Sequence, residues 1–172
     1  MKQTKTQAKA RLSHLDSAGA ARMVDVGEKS TTRRTAKAGG ELRMSAAAFR
    51  LLLDGAAKKG DVIAVARIAA IAAVKRAADI IPLCHPLPLD HAEANFSFGR
   101  GNVLRCEVTV RLSAKTGAEM EALTGVCAGL LTAYDMLKAA DKTMTITNIR
   151  LLQKTGGKSD INNPAAKSPA VK

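Results

Sequence analysis

A chain of 172 residues that is 47% hydrophobic can bury one sizeable core but is too short for two ordinary domains, so it needs neither disulfide nor metal staples. Its 3 cysteines, Cys84, Cys106 and Cys127, stand far apart without a Cys-x-x-Cys pair, which reads as reduced thiols in a reducing compartment and makes the cytoplasm the expected address. The net charge of +12 calls for an anionic partner, and its distribution narrows the choice.

Residues 1–43 hold 10 basic and 4 acidic side chains, residues 44–160 hold 15 and 11, and residues 161–172 hold 2 and none. Most of the excess therefore lies outside the probable core. A nucleic-acid-binding module would use such ends, but single-strand binders add aromatic stacking platforms, and only Phe49, Phe96, Phe98 and Tyr134 are present. Nucleic acid is thus the second reading, behind a small anionic ligand. No run approaches the roughly 18 apolar residues of a membrane span, and Met1 to Ser13 has charges without an apolar stretch behind them, so neither membrane nor secretory signal is expected. That stretch lacks acids, as organelle transit peptides do, but Lys outnumbers Arg and large apolar residues are few.

Residues 1–18 and 160–172 are rich in Lys, Ala, Ser, Asn and Pro without periodicity and read as mobile tails around a single domain over 19–159. Ala21 to Val26 predicts a first strand, and the polar, basic stretch 27–43 is either an extended ribbon or a loop. Ser45 can cap a helix to about Lys58, and Asp61 a second to about Ala78, broken before Pro82. The second is dense in Ala, Ile and Val, as a helix packed closely on a sheet or partner would be. Ala94–Phe98 and 103–112 predict a hairpin across Gly99-Arg100-Gly101-Asn102, with Leu104, Cys106, Val108, Val110 and Leu112 on the covered face. Thr116-Gly117-Ala118-Glu119 has the pattern of a capping box before a helix to about Ala140, and alternation returns over Thr143–Leu152. No internal repeat is visible.

Four stretches could carry chemistry. Lys58-Lys59-Gly60-Asp61 sets a lysine at a helix N-terminus, where free N–H groups and the helix dipole favour phosphate, though it is also a common helix-to-helix turn. Ile81 to Leu87 holds Cys84 and His85 between two prolines, either a rigid proton-handling loop or a packed core histidine. His85 and His91 with Asp90 and Glu93 show no recognised metal-ligand spacing. On the long helix, Glu119 has a role as the capping-box acid, and Asp135 and Lys138 at i and i+3 are either reactive or a surface ion pair. Glu121 and Asp135 stand about 21 Å apart along a straight helix, so one small substrate can reach both only if two subunits build the site. Thr155-Gly156-Gly157-Lys158-Ser159 is similar to the end of a Walker A motif but has Leu152 where the first glycine belongs and Asn and Pro instead of a following helix. It remains a flexible phosphate-contacting lysine loop or a plain hinge.

In this order, Lys59-Gly60-Asp61-Val62, Ile81-Pro82-Leu83-Cys84-His85-Pro86-Leu87, Lys115-Thr116-Gly117-Ala118-Glu119-Met120-Glu121-Ala122-Leu123, Tyr134-Asp135-Met136-Leu137-Lys138 and Gly156-Gly157-Lys158-Ser159 closely resemble the cyclic pyranopterin monophosphate synthase family, also called molybdenum cofactor biosynthesis protein C. The resemblance spans about residues 12–160 and leaves both ends without counterpart. It implies a ferredoxin-like α+β fold, an antiparallel sheet covered on one face by helices, assembled as a hexamer, a trimer of dimers with active sites at the dimer interfaces. It implies a lyase that converts (8S)-3′,8-cyclo-7,8-dihydroguanosine 5′-triphosphate to cyclic pyranopterin monophosphate and pyrophosphate.

By residue, Leu83, Cys84, His85, Glu119, Met120, Glu121 and Lys158 match substrate-binding positions, and Asp135, Lys138 and Lys59 match catalytic ones. The resemblance then suggests Asp135 and Lys138 as an acid–base pair, Lys59 and Lys158 on phosphates, and His85 and Glu121 orienting the ring. If the site is shared, Lys59, His85 and Lys158 are expected from one chain and Asp135 with Lys138 from its partner. No cofactor is required, and Mg²⁺ can accompany the triphosphate through its oxygens without a protein cage.

Overall fold

The computed structural model describes residues 18–163. Of the expected tails at 1–18 and 160–172, residues 1–17 and 164–172 lie outside the described residues. In chain order the elements are β1 (Thr32–Arg43), α1 (Ala46–Leu53), α2 (Val62–Val74), α3 (Ala77–Ile80), β2 (His91–Gly99), β3 (Val103–Ala114), α4 (Glu119–Leu137), β4 (Thr145–Thr155) and β5 (Ile161–Asn162). The sheet order is β2-β3-β1-β4-β5, antiparallel at every pairing. β3 therefore lies between β1 and β2, which α1 and α2 connect, and β1 lies between β3 and β4, which α4 connects. Two β-α-β units are interleaved.

β3 behaves as its alternation predicts. Leu104, Cys106, Val108, Val110 and Leu112 are buried to 1% exposure or less, while Arg105, Glu107 and Thr109 on the other face are only partly covered. Each large aliphatic side chain so buried contributes roughly 1.5–3 kcal/mol. Helices α2 and α4 pack on this apolar face and on each other, α4 across β1, β3 and β4 and α2 across β2.

The ambiguous stretch 27–43 resolves into β1, the central strand, and the expected strand at Ala21–Val26 is absent apart from one bridging residue, Ala21. The inward residues of β1 are small, Ala36, Ala38 and Gly40 before Leu42. The reason is the close approach of α4, because a Cβ on Gly40 would stand 2.8 Å from Val126 Cγ1 and 2.9 Å from Leu130 Cδ1. Small residues also join the two helices: a Cβ on Gly125 would meet Val74 Cγ2 at 2.7 Å, and one on Gly129 would meet Ala70 Cβ at 3.3 Å.

Helix ends follow local chemistry. Ser45 and Asp61 cap α1 and α2, accepting from the N–H groups of Ala48 and Ala64. α1 stops short of Lys58 because Gly55, at φ +62°, turns the chain out of the helix. α2 stops at Val74 and is followed by the separate turn α3. The capping box does not form: α4 begins after Ala118 with no side-chain cap. Finally, β5 pairs Ile161 and Asn162 with Lys154 and Gln153, so chain that reads as the start of a tail extends the sheet.

Candidate functional site

The two ends of α4 carry two separate clusters. At its N-terminal end, a cleft of about 420 Å³ is lined by Val24, Lys29, Leu83, Cys84, His85, Leu87, Thr116, Gly117, Glu121 and Lys158. The helix-free segment after α3 supplies Leu83, Cys84 and His85, the β4–β5 loop supplies Lys158, and the first turn of α4 supplies Glu121. Glu121 is buried to 4% exposure. That burial raises its carboxyl above the usual range, with Glu119 adding to the effect, even though its own backbone N–H acts in the opposite direction. Burial likewise raises the Cys84 thiol, and the neighbouring Glu121 charge adds to it, so Cys84 is held as a thiol contact and not as a thiolate nucleophile.

The side chains of Lys29 and Lys158 make no hydrogen bond or ion pair among the described residues. Two ammonium groups thus face a cleft whose one carboxyl is pushed toward its neutral form. Lys29 was not singled out in the sequence, where it sits in a basic stretch without a motif around it.

Glu119 and Met120 stand beside this cleft without lining it. The Glu119 carboxylate accepts from Lys154 Nζ at 2.9 Å, so it pairs with a lysine of β4 and is not the capping acid that the Thr-x-x-Glu pattern suggested. Met120 is exposed at 36% on the first turn of α4. Arg34 braces the wall next to them, donating through Nε to the Ala114 carbonyl at 2.9 Å and through Nη2 to the Lys115 carbonyl at 3.1 Å.

At the C-terminal end of α4, Lys59, Tyr134, Asp135, Lys138, Ala139 and Lys142 line a second, shallower cleft of about 390 Å³. Asp135 is clamped by two ammonium groups, Lys138 Nζ at 2.6 Å from Oδ1 and Lys59 Nζ at 2.7 Å from Oδ2. The hydrogen bonds from Lys138 and then Lys59 hold the carboxyl down at about 2, and Asp135 in turn raises Lys138. All three side chains are about half exposed, 51% for Lys59, 54% for Asp135 and 53% for Lys138. Exposed pairs of this kind contribute little to folding, so stability does not explain why three charges meet here.

Asp61 caps the N-terminus of α2 by taking the Ala64 N–H, while the Lys59 side chain reaches Asp135, apart from the His85 and Lys158 of its own chain. Within one chain it joins Asp135 and Lys138 at the opposite end of a 19-residue helix. Among the described residues, no group of His, Cys, Asp and Glu side chains gathers as it would around a metal ion. His91 instead faces Glu93 along β2, with Nε2 3.5 Å from the carboxylate.

Paired ammonium groups beside a hydrogen-bonding carboxyl and a histidine make the first cleft a receptor suited to a phosphorylated small molecule with a polar ring. The comparison with known sequences gives that class its family. The MoaC family matches residues 23–157, and the chain belongs to it. It is also 56% identical over 149 residues to the cyclic pyranopterin monophosphate synthase of Chloroflexus aggregans (strain MD-66 / DSM 9485), covering 86% of this chain and 90% of that protein. Every residue of both clefts falls within the family match except Lys158, which follows directly after it.

Proposed function

We propose that the chain catalyses the reaction named for its relative, the lyase conversion of (8S)-3′,8-cyclo-7,8-dihydroguanosine 5′-triphosphate to cyclic pyranopterin monophosphate and pyrophosphate in molybdenum-cofactor biosynthesis. The observation that carries this reading is 56% identity over 149 residues, 86% of this chain and 90% of the relative.

The reaction opens the cyclised purine, closes the pterin and sends a ribose oxygen to the α-phosphorus as pyrophosphate leaves. It needs proton transfer and neutralisation of phosphate charge. Lys158 and Lys29 supply positive charge for the phosphates, and His85 and Glu121 give the ring its hydrogen-bonding partners. Lys59 and Lys138 deliver protons as ammonium groups. Asp135, with its carboxyl near 2, is too weak a base to accept a proton readily near neutrality, so its role is to fix both lysines and to favour the charged form of Lys138.

About 21 Å of helix separates Glu121 from Asp135, which supports sites assembled from the N-terminal cleft of one chain and the C-terminal cluster of another. The interleaved β-α-β connectivity supports a ferredoxin-like fold, and the family resemblance adds a hexamer built as a trimer of dimers. Thiols with no disulfide and a chain whose described helices are too short or too polar to cross a membrane support a cytoplasmic setting. Mg²⁺ would enter with the triphosphate, held by its oxygens. Incubating the protein with the cyclised nucleotide and following pyrophosphate and pyranopterin tests the reading, and a folded protein that forms neither product refutes it.

A further inference from the structure

Among the described residues the Lys158 side chain has no partner that would set its position, so the loop that carries it must do so. That loop is held at one residue from two directions. The Thr32 hydroxyl donates to the Gly156 carbonyl at 2.7 Å, and the Gly156 N–H donates to Asp160 Oδ1 at 3.2 Å. Gly156 has φ +85°, and a Cβ there would collide with the Arg33 carbonyl, so neither its conformation nor its packing admits a side chain. On the far side, β5 and the bond from Asn163 N to the Leu152 carbonyl at 2.7 Å return the chain to the sheet. The sequence suggests a flexible loop from its glycines, whereas Gly156 is pinned through both its carbonyl and its N–H.

We propose that Thr32 and Asp160 are positioning residues that fix the Gly156 backbone and thereby aim Lys158 into the cleft. The inference rests on the proposed phosphate-binding role of Lys158. Thr32 opens the central strand β1 and pairs with Ala114 of β3, so this hydroxyl ties the loop to the sheet. A lysine on a fixed stem loses less freedom when it meets a phosphate than one on a free loop, so loss of either bond weakens binding of the anion and leaves the chemical steps alone.

The test uses the full chain with Thr32→Val, which keeps the shape and removes the donor, and Asp160→Ala, which removes the acceptor. Thr32→Ser and Asp160→Asn each retain a group able to make the bond. For Thr32→Val and Asp160→Ala, KM for the cyclised nucleotide should rise roughly five- to tenfold with kcat within about twofold, as loss of one hydrogen bond implies. The two conservative variants should stay near wild type. In a Lys158→Ala background, Thr32→Val should change KM by less than about twofold, because its effect passes through the missing ammonium. A merely structural threonine would instead lower Tm and multiply the Lys158→Ala defect, and that result would overturn the proposal. Titration with tripolyphosphate gives a readout that needs no turnover. Wild-type chain should bind it several-fold more tightly than Thr32→Val. Equal affinities, or no binding by the wild type, would refute the assignment whatever the reaction proves to be, whereas wild-type binding without product formation would count only against the proposed function.

Discussion

Asp135 holds two ammonium groups within 2.7 Å and is itself about half exposed. Replacing it with Asn keeps the shape and deletes the charge, so the two lysines would repel each other and leave their fixed places. Turnover should fall by at least roughly a hundredfold, the scale of losing a positioned proton-transfer group, while Tm stays near that of wild type. Steady-state kinetics beside thermal melts check this, and an active variant would remove Asp135 from the mechanism. The same residue shows what a sequence can and cannot say. Asp135 and Lys138 at i and i+3 were visible as a pair, because helix periodicity places them on one face. Lys59, 76 residues away, could not be joined to them, since only the packing of the α1–α2 turn against the end of α4 brings it there.

At the scale of elements, the close contact of α2 and α4 is the most sensitive joint. Ala at position 125 would gain up to about 1 kcal/mol of helix propensity, yet its Cβ would meet Val74 Cγ2 at 2.7 Å, Val108 Cγ1 at 3.1 Å and the Ala70 carbonyl at 3.3 Å. Overpacking of this kind costs roughly 1–3 kcal/mol, and a backbone carbonyl cannot swing aside, so Gly125→Ala should be destabilised overall in a denaturant melt.

A second joint is Asp141, between α4 and β4. Its carboxylate accepts from Thr143 Oγ1 at 2.7 Å, Thr143 N at 2.8 Å and Ser45 N at 2.7 Å, which ties it to the start of α1. These bonds, led by the Thr143 hydroxyl, hold its carboxyl at about 2 against an ordinary 3.8. A depressed folded value means stability that is present above 3.8 and lost as pH falls toward 2. Asp141→Asn should therefore lower Tm at neutral pH and flatten the fall of Tm across that acid window. Legibility differed among elements for a physical reason. β3 was plain because large aliphatic residues alternate with charges, whereas β1 was ambiguous because α4 lies so close that its inward positions are Ala36, Ala38 and Gly40, which carry almost no hydrophobic signal.

For the whole molecule, the placement of Lys59 changes which inactive variants can rescue each other. If each site joins the N-terminal cleft of one chain to the C-terminal cluster of its partner, Lys59→Ala and Asp135→Asn damage the same half and should not complement. His85→Ala and Asp135→Asn damage opposite halves. Random pairing makes about half the dimers mixed, and each mixed dimer has one intact site of two, so co-assembly should recover about one quarter of wild-type pyrophosphate release. No recovery by the second pair despite proven mixed oligomers would place the whole site within one chain, and recovery by the first pair would put Lys59 and Asp135 of one site on different chains.

If each end of α4 carries half a site, the length of the helix has a kinetic consequence. A lone chain would hold two incomplete halves that no motion of its own could bring together across about 21 Å. At concentrations well below the dissociation constant of the pair, the number of complete sites rises with the square of total protein, and once association is complete it rises in simple proportion. Diluting the enzyme would then cost more rate than the dilution factor itself, and substrate bridging the two halves would restore part of the loss by drawing the chains together.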